Sequence, residues 1–293
     1  MSLVLANGLA LNVIELGEED ASPTVVLLHG IVIDNLSSLY YTLANHLASR
    51  YRVVLYDQRG HGMSDRPKSG YSVLDNVEDL NSLLIELRIE VPVVLVGNSF
   101  GGTIALGFAL RYPEKVCGLG LIEAHFAVEG WGDKMAATLR RTARLAREGL
   151  EMERVLRETG SLPEGGLPSL KKVGLSDEEV AFVIGWIEDN SRRKATRMGR
   201  TAKALLDGTT LIEDLQREEP LTQDDLKKIM CPTLAIYGSK SDIVDRADDL
   251  KKAMRNIEIN VLDGYDHSVL MRAPELIRES LFGWLSQIEE RIQ

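Results

Sequence analysis

Val93-Val94-Leu95-Val96-Gly97-Asn98-Ser99-Phe100-Gly101-Gly102 reads as a strand, a sharp turn and the start of a helix. Val93 to Val96 is an unbroken apolar, β-branched run, the pattern of a strand buried on both faces of a parallel sheet. Gly102-Thr103-Ile104-Ala105-Leu106-Gly107-Phe108-Ala109-Leu110 continues with small and apolar residues suited to a buried helix. Between them stands G-x-S-x-G. A turn this sharp strains the backbone of its central residue and leaves no room for bulk two positions to either side, where Gly97 and Gly101 stand. The hydroxyl of Ser99 is then exposed above the sheet, at the positive end of the helix dipole.

The rest of the chain supplies a setting for that turn. Leu3 to Val13 reads as a hairpin around Asn7-Gly8, the preferred type I′ pair. Thr24 to Leu28 is a second apolar strand and ends in His29-Gly30. Leu36, Leu39, Tyr40, Leu43 and Leu47 share one face of a following helix. Arg52 to Tyr56 is another strand, and Val73, Val77, Leu80, Leu84 and Leu87 define another helix. Val116 to Ile122 is the strand after the Ser99 helix. Strands alternating with helices predict a parallel sheet with helices on both faces, an α/β fold.

The alternation stops near Glu123 and resumes at Pro232. The stretch between reads as helices alone, with Leu139, Ala143, Ala146 and Leu150 on one face and Val180, Val183, Ile184 and Ile187 on another. The expected organisation is a core of residues 1–125 and 229–293 with an inserted helical cap, 126–228. A strand at Thr233 to Tyr237, a helix near Arg246 to Met254, a strand at Ile257 to Leu262 and a helix beginning at Pro274 complete the core.

Bulk properties narrow the function. The 293 residues carry a net charge of −10, which argues against nucleic acid as a partner. No apolar run approaches the roughly 20 residues that span a bilayer, and the N-terminus lacks the basic flank of a signal peptide. A cytoplasmic location is expected. Cys117 and Cys231 lie in apolar surroundings and read as buried free thiols. No histidine or cysteine cluster has metal-ligand spacing, and no phosphate-binding glycine motif follows a strand, so no cofactor is expected.

A serine hydroxyl is a poor nucleophile without a base. Of the five histidines, His267 lies just after the last strand, at the strand edge that carries Ser99. His46 reads as a helix-surface residue, and His29 and His61 as residues that hold turns. A base of this kind needs an orienting carboxylate. The candidates are Asp242 first, then Asp245, both following the strand at Leu234 to Tyr237, and Glu123 third, at the end of another strand.

Taken together, these residues resemble the α/β-hydrolase fold family of serine hydrolases over essentially the whole chain. His29-Gly30 resembles the oxyanion loop, Asp57-Gln58-Arg59-Gly60-His61-Gly62-Met63-Ser64 the D-x-R-G-x-G-x-S loop, and Gly97 to Gly101 the nucleophile elbow. The order Ser99, Asp242, His267 is that of the family. The resemblance implies Ser99 as nucleophile, His267 as base and Asp242 as acid, with the backbone N–H groups of Ile31 and Phe100 as oxyanion hole. It implies cleavage of an ester or thioester of a small-molecule acyl substrate through an acyl-enzyme.

The elbow Gly97-Asn98-Ser99-Phe100-Gly101-Gly102 also resembles that of hydrolases that cleave carbon–carbon bonds in ring-fission products. The chain departs from those enzymes at Ile31 to Asn35 and at Ser268, which points away from that chemistry. Overall the chain is similar to hydrolases and thioesterases of bacterial secondary metabolism. A protein of this fold that binds a ligand with little turnover is the alternative from another class. His29, Gly30, Asn98, Glu123 and His125 are candidate pocket residues. Arg192, Arg193, Lys194, Arg197, Arg200 and Lys203 form a basic run in an acidic chain. A solvated helix face explains it; a dock for an anionic acyl carrier, coenzyme A or an acyl carrier protein, is the sharper reading.

Overall fold

The computed structural model describes residues 1–126, 128–159 and 192–292, with side chains for all of these except 145, 146, 148, 149, 151–159 and 192–198. Eight strands form one sheet: β1 (Ser2–Ala6), β2 (Leu9–Leu16), β3 (Val25–Leu28), β4 (Val53–Tyr56), β5 (Val93–Asn98), β6 (Val116–Ile122), β7 (Thr233–Gly238) and β8 (Ile257–Leu262). Their order across the sheet is β1-β2-β4-β3-β5-β6-β7-β8. β2 pairs antiparallel with both β1, as the Asn7-Gly8 turn predicts, and β4, while β3 to β8 run parallel to one another. This is the α/β-hydrolase fold.

The apolar runs are buried on both faces. Val26, Leu28, Val54, Tyr56 and Leu95 join one core, while their neighbours Val25, Leu27, Val53, Leu55 and Val94 join the other. That period of two is what the pleat dictates. α1 (Leu36–Leu39) runs through a π-helical turn at Tyr40–Ala44 into α2 (Asn45–Leu47), so the single helix read from its leucines is underwound in the middle. α3 (Val73–Glu86) starts at a capping box made by Ser72 and Asp75. α4 (Phe100–Arg111) follows the elbow and is buried along most of its length.

Between β6 and β7 the described residues form helices and no strand: α5 (Trp131–Thr159), α6 (Arg192–Leu206), α7 (Leu211–Gln216) and α8 (Gln223–Lys228). The predicted face at Val180 to Ile187 lies outside the described residues. Asp214 and Glu218 tie this region to the core, accepting from the backbone N–H groups of Tyr71 and Val73 at 2.9 and 2.5 Å. Burial raises the Glu218 carboxyl above its ordinary pKa. α9 (Asp245–Ala253) lies between β7 and β8; α10 (Val269–Arg272) and α11 (Pro274–Ile292) close the chain. Cys117 and Cys231 are free and half-buried, and burial pushes their thiols up to about 11 and about 12. Among the described residues, no helix is long and apolar enough to cross a membrane.

Candidate active site

The elbow is built by close backbone approaches. A Cβ on Gly97 would stand 2.4 Å from the carbonyl of Gly101, and one on Gly101 would stand 2.1 Å from the carbonyl oxygen of Leu28. Neither position admits a side chain. Ser99 sits at φ 53, ψ −117, a conformation that costs an L-residue roughly 1–3 kcal/mol. Two other non-glycine residues at this edge of the sheet share a positive φ: Val32 at 70 and Glu123 at 49. The surrounding hydrogen bonds hold all three.

Ser99 is fixed through its backbone. Its N–H donates to the carbonyl of Ile122 at 2.8 Å, and its own carbonyl accepts from Gly102 at 3.0 Å. The hydroxyl is left for chemistry. His267 Nε2 lies 3.1 Å from Ser99 Oγ, and His267 Nδ1 lies 3.0 Å from Glu123 Oε2. With the carboxylate facing Nδ1, that nitrogen carries the proton and Nε2 presents its lone pair to the hydroxyl. The loop that carries His267 is held against the end of β7, where the Lys240 N–H donates to the Tyr265 carbonyl at 2.8 Å.

The carboxylate is the correction to the sequence reading. Asp242 and Asp245 are exposed, and neither meets His267. Glu123 does, and it is 0 % exposed. The Glu123 backbone donates to Ile236 of β7 at 2.8 Å, and its positive φ turns the side chain beneath the end of that strand. Gly238 N–H and Ser241 Oγ–H donate to it at 2.5 and 2.6 Å. With His267, three donors converge on one buried acceptor-only group, which offsets its desolvation. The loop after β7, expected to bring the acid, brings two of that acid's hydrogen bonds instead.

The loop after β3 is pinned on both sides of Ile31. The Gly30 N–H donates to Asp34 Oδ2 at 2.7 Å and the Val32 N–H to His61 Nε2 at 2.8 Å. The Ile31 N–H between them has no acceptor among the described residues. The Phe100 N–H heads α4, where a helix leaves its first N–H groups without internal acceptors. A Cβ on Gly30 would stand 3.5 Å from Ser99 Cβ, so this loop lies directly against the hydroxyl-bearing residue.

His61 accepts from Val32 and therefore carries its proton on Nδ1, 2.9 Å from the Arg59 carbonyl. Burial, with His29 beside it, pushes its pKa down to about 3. His29 is also buried, with Nδ1 2.6 Å from the Gly30 carbonyl and Nε2 accepting from the Gln58 N–H at 3.0 Å. It supports the loop rather than lining a pocket. His46 is exposed on its helix. The Asp57 motif is structural too: its carboxylate accepts from Asn12, Leu36 and Met63, and Arg59 pairs with buried Asp79.

Asn98 is half-buried beside Ser99, and its Oδ1 is buried without a hydrogen-bond partner. His125 is half-buried, with its ring centroid 5.3 Å from that of His267. Of the basic run, Arg200 is exposed and Lys203 pairs with Asp207 at 3.0 Å; the side chains of Arg192, Arg193, Lys194 and Arg197 lie outside those described. Among the described residues, no group of three or more histidine, cysteine or acidic side chains is placed to hold a metal. A cavity of about 370 Å³ lies at the opposite edge of the sheet, bordered by Cys117, Met230 and Cys231, far from Ser99.

The model of the α/β-hydrolase fold family matches residues 23–274. An uncharacterized protein of Mycobacterium tuberculosis is 29 % identical over 255 residues, covering 84 % of this chain and 70 % of that one. The enol-lactonase of Burkholderia xenovorans superposes with a TM-score of 0.67 at 21 % identity, covering 97 % of this chain and 99 % of that one. A thermophilic esterase of Thermogutta terrifontis gives 0.68 at 22 % identity, covering 98 % and 97 %. With its sheet order, its glycine-walled elbow and a family match over most of its length, the chain belongs to the α/β-hydrolase family and is an enzyme of it.

Proposed function

We propose that this enzyme is a serine hydrolase that cleaves an ester or thioester of a small acyl substrate through an acyl-enzyme. One observation carries the reading: the unbroken chain from Ser99 Oγ through His267 to Glu123, with links of 3.1 and 3.0 Å. Ser99 Oγ attacks the acyl carbon as His267 Nε2 takes its proton. The tetrahedral oxyanion is held by the N–H groups of Ile31 and Phe100, each worth about 3–4 kcal/mol in comparable sites. His267 then delivers the proton to the leaving atom, and the acyl–oxygen or acyl–sulfur bond breaks. Water, activated by the same imidazole, attacks the acyl-Ser99 ester and frees the acid. Glu123 keeps the proton of the resting imidazole on Nδ1 and stabilises the imidazolium.

The helices within 126–228 are proposed to cap this site. Asp214 and Glu218 support that role, since they hold the helices against residues 71 and 73 of the core. The basic run in α6 is kept as a proposed dock for an anionic carrier. Neutralising it should then slow carrier-linked thioesters more than free ones; equal rates on both would remove that partner.

Labelling with a fluorophosphonate, followed by mass mapping, tests the mechanism. Label on Ser99 in the wild type that is lost in His267→Ala is the expected result. A folded wild type that takes no label would overturn the reading and favour a ligand-binding role.

A further inference from the structure

His125, like Asn98, is a polar side chain of this site that the proposed mechanism leaves unused, and it is the one set against His267. Its backbone is committed: the carbonyl accepts from Thr103 Oγ1 at 2.5 Å, and the N–H points to the Ser99 carbonyl at 3.4 Å. Those bonds fix the ring beside His267, with centroids 5.3 Å apart and planes at 58°. Neither ring nitrogen has a hydrogen-bond partner among the described residues. Burial, then the neighbouring His267, pushes its pKa down to about 4. At neutral pH the ring therefore holds one N–H and one lone pair, both unspent.

The direction of the chemistry says what would meet it. His267 Nε2 must hand its proton to the leaving atom, so the leaving group lies against His267. The His125 ring centroid stands 5.3 Å from that of His267, a separation that an oxygen two carbons beyond the leaving oxygen is long enough to span. The charged neighbours select its type. Asp242 and Arg246 act on the His125 ring with opposite sign, and Arg246 is itself paired with Asp249 at 2.6 Å while stacking over Phe126, so these neighbours together carry more negative than positive charge. An anionic leaving group meets that net negative charge, and a neutral one does not.

We propose that His125 forms a leaving-group subsite for alcohols that carry a second hydroxyl, which the neutral imidazole binds as donor or acceptor. The substrates are then hydroxy-alcohol esters rather than simple alkyl esters. This assignment rests on the serine-hydrolase reading of Ser99.

The test pairs two esters of one acyl chain, an ethyl ester and a 2-hydroxyethyl ester, with kcat/KM read by titration and scaled to each ester's alkaline hydrolysis rate. The wild type is expected to prefer the hydroxyethyl ester about tenfold. In His125→Phe, which keeps a ring without its nitrogens, the preference should fall to near one. His125→Asn, with both a donor and an acceptor, should restore part of it. A wild type that labels on Ser99 yet shows no preference, or cleaves neither ester, overturns the subsite. So does a His125→Phe variant that slows both esters equally, because the residue then acts only through His267. A wild type that neither labels nor cleaves overturns the serine-hydrolase reading itself.

Discussion

Glu123 and Asp242 stand at the ends of adjacent strands, and only one of them meets the histidine. Glu123 follows β6, is wholly buried, and is surrounded by three donors. Asp242 follows β7 and is exposed. The difference ties the carboxylate that meets His267 to the support around it and not to chain order. A carboxylate taken out of water must recover its hydrogen bonds from the protein. The end of β6 offers that recovery, because the Gly238 N–H and the Ser241 hydroxyl both point at it. Asp242 stays exposed to solvent, with its charge within range of His125.

The comparison presupposes that His267 serves Ser99, so the largest effect belongs there. Ser99→Ala should lower kcat on any ester by about 10⁴ to 10⁶ while the protein stays folded. A variant that retained most of its activity would make the choice of carboxylate irrelevant.

The next effect separates the two carboxylates directly. Glu123→Gln keeps the shape but offers the wrong partner to His267 Nδ1, and should cost about 10² to 10⁴ in kcat. Asp242→Asn should cost less than about tenfold. Both are read as kcat on one ester, with circular dichroism to confirm folding. The reverse order would return the acid to β7. Ser241→Ala refines the result, since it removes one donor and leaves Glu123 in place; a loss of about tenfold is expected. A loss as large as that of Glu123→Gln would mean that the carboxylate has no position of its own.

Much of this was legible in the residues. The apolar runs become β3 to β8 with shifts of one or two residues, the Asn7-Gly8 turn joins β1 to β2, and Pro274 opens the last helix. That Ser99 and His267 lie side by side was legible because a glycine-walled turn and a loop after the last strand each fix a position by local geometry. The acid was not. Asp242 and Glu123 both end apolar strands, and residue order does not show which strand end the His267 loop covers. A charged residue directly after Val116 to Ile122 is the signal, and the end of another strand puts Glu123 among the candidates only in third place. His29 holds a turn, as its position suggests; of the pocket role also weighed for it, only its neighbour Gly30 touches Ser99, while its own ring turns inward to Gln58.

The smallest effect at neutral pH is expected at His61, which holds the loop opposite both carboxylates. His61→Gln keeps an acceptor for the Val32 N–H, so kcat at pH 7 should fall by less than about tenfold. Its signature is in acid. Folded His61 titrates at about 3, against the ordinary 6.5 of the unfolded chain. Between those values the unfolded chain binds a proton that the folded chain refuses. The contribution to stability is complete above pH 6.5 and is lost progressively as pH falls toward 3, by an amount on the order of a few kcal/mol. Glutamine binds no proton, so urea midpoints measured from pH 7 down to pH 4 should fall less steeply in His61→Gln than in the wild type. Parallel curves would show that the imidazole is not the neutral acceptor that shapes the Ile31 loop, and would leave acid sensitivity to the carboxylates alone.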